Sequence, residues 1–259
     1  MSSVTSRIKE IKQPQGGYLP VSSMKVIQLK DKKPLNENEN ISPSTVGLVV
    51  DYITRFLISG DLRHAFMIPI KGANMAEKIG GIHAVDELEE YLIHIHSFDD
   101  KSIIYACKAT SFDVWYRNPV MAKDAITGKD INPDRETIDN IKHMVNRTLD
   151  FWSKYGDYTV DGFTFEPNGY TDTVSSGDGD YLSKDTIWDL KVSKKEPTAD
   201  HTLQILMYYI MGQHSGKKEY KKIKRIGIFN PRLNKVYLCD VKDIPQETIE
   251  KIEKDVICY

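Results

Sequence analysis

Seven residues, Thr186-Ile-Trp-Asp-Leu-Lys-Val192, constrain this chain more than any other stretch. Their β-branched and aromatic bulk predicts a strand. Side chains alternate along a strand, so Asp189 and Lys191 share one face while Trp188, Leu190 and Val192 share the other. The preceding Ser183-Lys184-Asp185 is short and turn-like, which makes 178–182 the first arm of a hairpin and brings Asp180 close to Asp189. Residues 199–211 then predict a helix started by Thr198 or Asp200. It is apolar around much of its girth (Leu203, Ile205, Leu206, Met207, Ile210, Met211) and is therefore expected to be buried against the sheet. Gln204 and Tyr208 lie one turn apart on that helix and share a face.

Two carboxylates and a lysine on neighbouring strands make a poor plain core. Close acids repel, and partial burial drives protons onto them. A divalent cation resolves the conflict, because Mg²⁺ is typically held by one or two carboxylates, with water and phosphate completing its shell. Such an ion polarises a phosphodiester and acidifies bound water, and the lysine then orients that water or offsets charge on the phosphate. Taken alone, an Asp-x-Lys pair on an exposed strand reads as a solvated ion pair. A calcium-loop reading of 178–189 fails. Leu182 and Ser183 stand where that loop needs an oxygen ligand and a glycine, and Asp189 replaces the closing Glu.

Gly179-Asp180, then Asp189-Leu190-Lys191, then Gln204-x-x-x-Tyr208 resembles the motif series of the PD-(D/E)XK nuclease superfamily, in its RecB-like and phage-exonuclease-like branch. The likeness covers 163–212 closely and 134–240 more loosely. It implies an α/β fold with a central mixed sheet flanked by helices, of restriction-endonuclease-like type. It also implies hydrolysis of DNA phosphodiester bonds with Mg²⁺ or Mn²⁺, held by Asp180, Asp189 and the Leu190 carbonyl. Lys191 would position the attacking water, while Gln204 and Tyr208 would support the site or touch phosphate. Exonucleases of phage-type recombination, repair or DNA processing are the nearest in kind. A restriction-type endonuclease and a catalytically idle DNA-binding or assembly module on the same fold stay open beside them. Relatives also place acids or histidines nearby, which makes Glu166 and His83 (in Gly80-Gly81-Ile82-His83, with Glu87 beyond) further candidate metal ligands. Glu77 and His143 are weaker candidates of the same kind.

Cys107, Cys239 and Cys258 are scattered, which suggests neither a disulfide framework nor a zinc site, and argues against the iron–sulfur cluster of some relatives. A net charge of −2 gives no global nucleic-acid signature. Local charge is another matter: Lys194 and Lys195 flank the strand, and 216–225 is a basic run that supplies either a solvated face or phosphate contacts. No apolar run reaches bilayer length and the start is polar, so a cytoplasmic protein without membrane contact is expected, with homo-oligomers among the options.

The spacing divides the chain into an arm over 1–40, with a short edge strand at 24–30, and a nuclease domain over 41–259. Within that domain, 41–156 is mostly helical and 157–259 carries the strands. Helices are expected at 43–59, 62–66, 73–94, 134–155 and 246–257, and strands at 224–230 and 236–241.

Overall fold

Local signals in the sequence set most element boundaries of the computed structural model, which describes residues 2–80, 83–122, 125–156 and 158–259. The chain opens with β1 (Ser2–Ser3), α1 (Val4–Glu10) and β2 (Lys25–Gln28). A run of helices follows. Ser42 caps α2 (Pro43–Ser59) by accepting the Ser44 amide, Pro43 sits in its first turn, and Gly60 ends it at φ 70. Next come α3 (Leu62–Ala65), α4 (Met67–Gly80), α5 (Ala84–Leu92), α6 (Asp100–Ala109), α7 (Asp113–Arg117), α8 (Pro119–Ala122) and the long α9 (Arg135–Tyr155). Asp99 caps α6 by accepting the Ser102 amide.

The strands then arrive in order: β3 (Val160–Phe163), β4 (Val174–Ser176), β5 (Gly179–Leu182) and β6 (Thr186–Leu190). They are followed by α10 (Ala199–Ser215), β7 (Arg225–Asn230), β8 (Lys235–Asp240) and α11 (Gln246–Lys251), which runs on into a π turn over Ile252–Ile257. Six strands form one mixed sheet in the order β2-β8-β7-β6-β5-β3. Within it β6 and β7 are the parallel pair among the described residues, and β1 pairs with β4, also in parallel, apart from it. The protein is thus α/β with a central mixed sheet. Among the described residues no helix is long and apolar enough to cross a membrane.

Two compact units result. One joins Met1–Lys32 to Trp152–Tyr259 and holds the sheet; the other is Lys33–Phe151 and is helical. Where the sequence suggested a surface arm over 1–40, residues 2–32 are built into the sheet unit. Val4, Ile8, Leu19 and Met24 are buried in its core, and β2 forms the sheet edge against β8. Those four apolar residues are too sparse to announce a core strap, and only the partners they meet reveal it. Residues 36 and 40 go with the helices instead, through hydrogen bonds to Asn140 and Thr137.

The two faces of β6 pack differently. Ile187 joins the core cluster that includes Leu203, Leu206 and Ile210 of α10. Trp188 faces the other way, edge-on to Trp152 and Tyr155. It also lies over Gly227, where a Cβ would come within 2.3 Å of the indole. Gly179 has the same kind of role: its missing Cβ leaves room for the Phe163 ring, 1.9 Å from where that atom would sit.

Candidate active site

The β5–β6 hairpin pairs Tyr181 with Trp188 and Leu182 with Ile187. Continuing that register by one residue beyond Tyr181 and Trp188 sets Asp180 opposite Asp189. Alternation sends both carboxylates to the face shared by Leu182 and Ile187, the face α10 covers. Two like charges directly across a sheet repel each other, so the cations and donors around them decide whether the arrangement holds.

Asp180 Oδ2 accepts the Leu190 amide at 2.8 Å, which ties the first acid to the strand of the second. Lys191 folds back on its own strand, its Nζ 3.0 Å from Asp189 Oδ1 and 2.9 Å from Oδ2. Only the Oδ1 contact has hydrogen-bond geometry. Asp189 is 2% exposed, and its Oδ2 is left buried with no hydrogen-bond donor. Burial by itself would lower the Lys191 ammonium, but the Asp189 and Asp180 charges outweigh it and hold the group above its usual value. Both acids therefore act on one lysine.

Helix α10 supplies the opposite wall. Gln204 Nε2 donates to the Tyr208 hydroxyl at 2.8 Å, one turn apart. Tyr208 is buried. Its phenol is pushed well above the usual value, first by burial and then by the charges of Asp189 and Asp180. Asp180, Asp189, Leu190, Lys191 and the Gln204–Tyr208 pair thus come together.

Of the outlying candidates, Glu166 does not join them, and His83 belongs to the other compact unit. Glu166 lies in an exposed turn beyond β3 and accepts from Thr164 Oγ1 at 2.7 Å. It is off the strand because the chain turns at Pro167. His83 is an exposed residue capping α5 in the helical unit, Glu77 accepts the Val85 amide there, and Tyr91 donates to Glu87. Gly81 and Ile82, from the same stretch, lie outside the described residues. Among the described residues, no three His, Cys, Asp or Glu side chains gather as a metal-holding group.

The basic run lies away from the cluster. Thr186 pairs with Arg225, so residues 216–224 approach the start of β6, whereas Asp189 and Lys191 stand at its far end. That end is about 13 Å away at the usual rise per strand residue. The chain crosses between the two ends along α10, whose 17 residues span about 25 Å.

Sequence reasoning passed over two neighbours of the cluster. Asn230, fully buried at the end of β7, donates to the carbonyls of Ser193 (2.8 Å) and Lys195 (3.4 Å), and its Oδ1 accepts the Arg232 and Leu233 amides. Glu196 is held by Lys235 at 2.6 Å and by the Tyr237 hydroxyl. The loop that carries Lys194 and Lys195 is thereby clamped to the β7–β8 hairpin. His201 is the second, three residues before Gln204 on the same helix; that spacing was the available signal. A hollow of about 540 Å³ opens at the start of α10, lined by Gln13, Gly17, Ser22, Thr198 and Asp200. None of the strand cluster lines it.

The donor set suits a hard cation: two carboxylates on adjacent strands, a buried carboxylate oxygen lacking a donor, and no thiolate. The chain matches no family model, no curated protein and no solved structure.

Proposed function

We propose that this protein is a divalent-cation-dependent deoxyribonuclease of restriction-endonuclease-like fold, hydrolysing phosphodiester bonds from DNA ends in phage-type recombination, repair or DNA processing. The observation that carries the reading is the facing pair Asp180 and Asp189, with Asp189 Oδ2 buried and without a donor beside Lys191. The Lys191 hydrogen bond goes to Oδ1, so Oδ2 lies beside the same ammonium with no hydrogen bond of its own.

Asp180, Asp189 and the Leu190 carbonyl would hold Mg²⁺ or Mn²⁺. When bound, such an ion polarises the phosphate and acidifies a water. Lys191, kept protonated by the two acids, donates to the attacking water and to oxygens gaining charge. Asn230 fixes the Ser193–Lys195 loop so that its lysines meet the phosphate backbone as point charges. The Tyr208 hydroxyl, kept protonated by burial and by the acids, holds Gln204 in place on the face opposite β6.

The test is incubation with Mn²⁺ and a panel of linear, circular, single- and double-stranded DNA, run beside Asp189→Asn. Wild type is expected to shorten linear DNA and spare closed circles, and Asp189→Asn to lose the activity. Undiminished cleavage by Asp189→Asn overturns the mechanism. One observation favours an idle module: Lys191 already neutralises Asp189, and the described residues offer no third acidic or histidine ligand. Calorimetry separates the two, since a nuclease takes up Mn²⁺ with loss of that heat in Asp189→Asn.

A further inference from the structure

His201 sits in the first turn of α10, and its ring closes back on the helix start. The Thr198 backbone amide lies 3.0 Å from Nδ1, and Thr198 Oγ1 lies 3.3 Å from the same nitrogen. A backbone amide only donates, so Nδ1 presents a lone pair, and the ring proton belongs on Nε2. Histidine here takes the place of the Glu or Gln that usually closes a capping box.

That arrangement leaves a fixed N–H on the far side of the ring, and among the described residues nothing hydrogen-bonds to Nε2. His201, Gln204 and Tyr208 stand at i, i+3 and i+7, one stripe of α10. The stripe begins at the sheet end where Asp189 and Lys191 stand, because only residues 191–198 separate the end of β6 from the start of α10, and at its other end Tyr208 packs edge-on against Phe163 of β3. The Asp189 charge reaches both Tyr208 and His201. Burial, and then the Lys191 charge, lower the ring's proton affinity, in keeping with one ring proton rather than two.

The geometry points to His201 as a substrate-contacting residue, whose Nε2–H donates a hydrogen bond to a non-bridging oxygen of the phosphodiester at the Asp180–Asp189–Lys191 cluster. This rests on the nuclease reading above. A neutral imidazole giving up that proton would become imidazolate, so the group acts as a fixed donor and not as the acid for the leaving oxygen. Its value lies in being oriented before charge builds on the phosphate. Plain helix capping is the competing role, and substitution separates the two. In His201→Gln, the side-chain oxygen takes the Thr198 amide while the amide NH₂ still donates. In His201→Glu, the cap survives and the donor is lost.

Single-turnover cleavage of linear duplex DNA with Mn²⁺ is the first measurement. His201→Gln is expected to stay within about threefold of wild type, and His201→Glu and His201→Ala to fall by roughly 10- to 100-fold, as for loss of one oriented donor. The KM for DNA should move less than kcat. Nitrogen-15 NMR of the imidazole, which needs no activity, is expected to show the Nε2–H tautomer and a shift of that signal when a duplex oligonucleotide is added. Equal rates for His201→Gln and His201→Glu, full activity in His201→Ala, or an Nδ1–H tautomer would each overturn the donor role while leaving the nuclease reading intact. A wild type inert on every DNA would instead remove the nuclease reading and, with it, this one.

Discussion

Asp189 in the sheet unit and Asp113 in the helical unit are 2% and 3% exposed, and each leaves one carboxylate oxygen buried without a hydrogen-bond donor. Their partners differ. Asp113 Oδ2 accepts from the Tyr52 hydroxyl at 2.5 Å, with Arg117 Nε 3.5 Å away. Burial pushes the Asp113 carboxyl up to about 6, and the phenol and the guanidinium only partly oppose it. Asp189 has an ammonium against both oxygens and a second carboxylate across the hairpin. A buried acid given mainly a neutral donor drifts toward its protonated form, which is a structural outcome. A buried acid set against an ammonium has a counter-charge beside it instead, and that pairing is what a bound cation would have to share.

The largest effect should come from removing the cation. Lys191→Met leaves Asp189 buried beside Asp180 with no counter-charge, and is expected to cost about 3 kcal/mol of unfolding free energy without metal. Adding Mn²⁺ should restore part of this, because a ligand bound only by the folded state stabilises it. Denaturant titrations with and without Mn²⁺ give the answer. A variant as stable as wild type, and unmoved by the metal, would erase the distinction between the two aspartates.

Asp113 should respond with the opposite sign. Its folded value of about 6 exceeds the ordinary 3.8, so the fold favours the protonated form. That contribution is complete below 3.8 and is lost as pH rises to about 6. The swing is about 3 kcal/mol at most. Asp113→Asn, neutral throughout, should melt at a higher temperature than wild type above that window and show a flatter pH profile across it. Thermal melts at several pH values test this; a destabilised Asp113→Asn above the window would show that the ionised carboxylate is favoured there after all.

The two phenols give the finest comparison. Tyr52 donates to a buried carboxylate, whereas Tyr208 accepts from the neutral Gln204 amide. Tyr52→Phe is expected to cost about 2 kcal/mol, as for a hydrogen bond to an acid, and Tyr208→Phe about 1 kcal/mol. Chemical unfolding of the pair, measured side by side, should preserve that order, and a reversal would place Tyr208 in a stronger bond than the one to Gln204.

Much of the local structure was legible in the sequence. Alternation over 186–192 put Asp189 and Lys191 on one face, the short 183–185 turn made the hairpin, and Thr198 with the apolar run after it gave α10. These readings succeed because alternation and capping depend only on neighbours in the chain. Asn230 and Asp113 escaped notice for the converse reason: a polar residue in an apolar stretch acquires meaning only from partners far along the chain. Asn230 matters through the Ser193 and Lys195 carbonyls, and Asp113 through Tyr52.

The sequence by itself determined the period of each element, the sharing of a face by Asp189 and Lys191 and by Gln204 and Tyr208, and the helical-then-stranded order of the chain. Tertiary structure alone decided that residues 2–32 join the sheet unit, and that the basic run falls at the sheet end away from the acids. It also decided that Asp189 Oδ2 is buried without a donor. The physical reason is that periodicity is fixed by backbone geometry within a few residues. Burial, charge pairing and the fate of a single oxygen are set by groups that meet only when strands far apart in sequence are laid side by side.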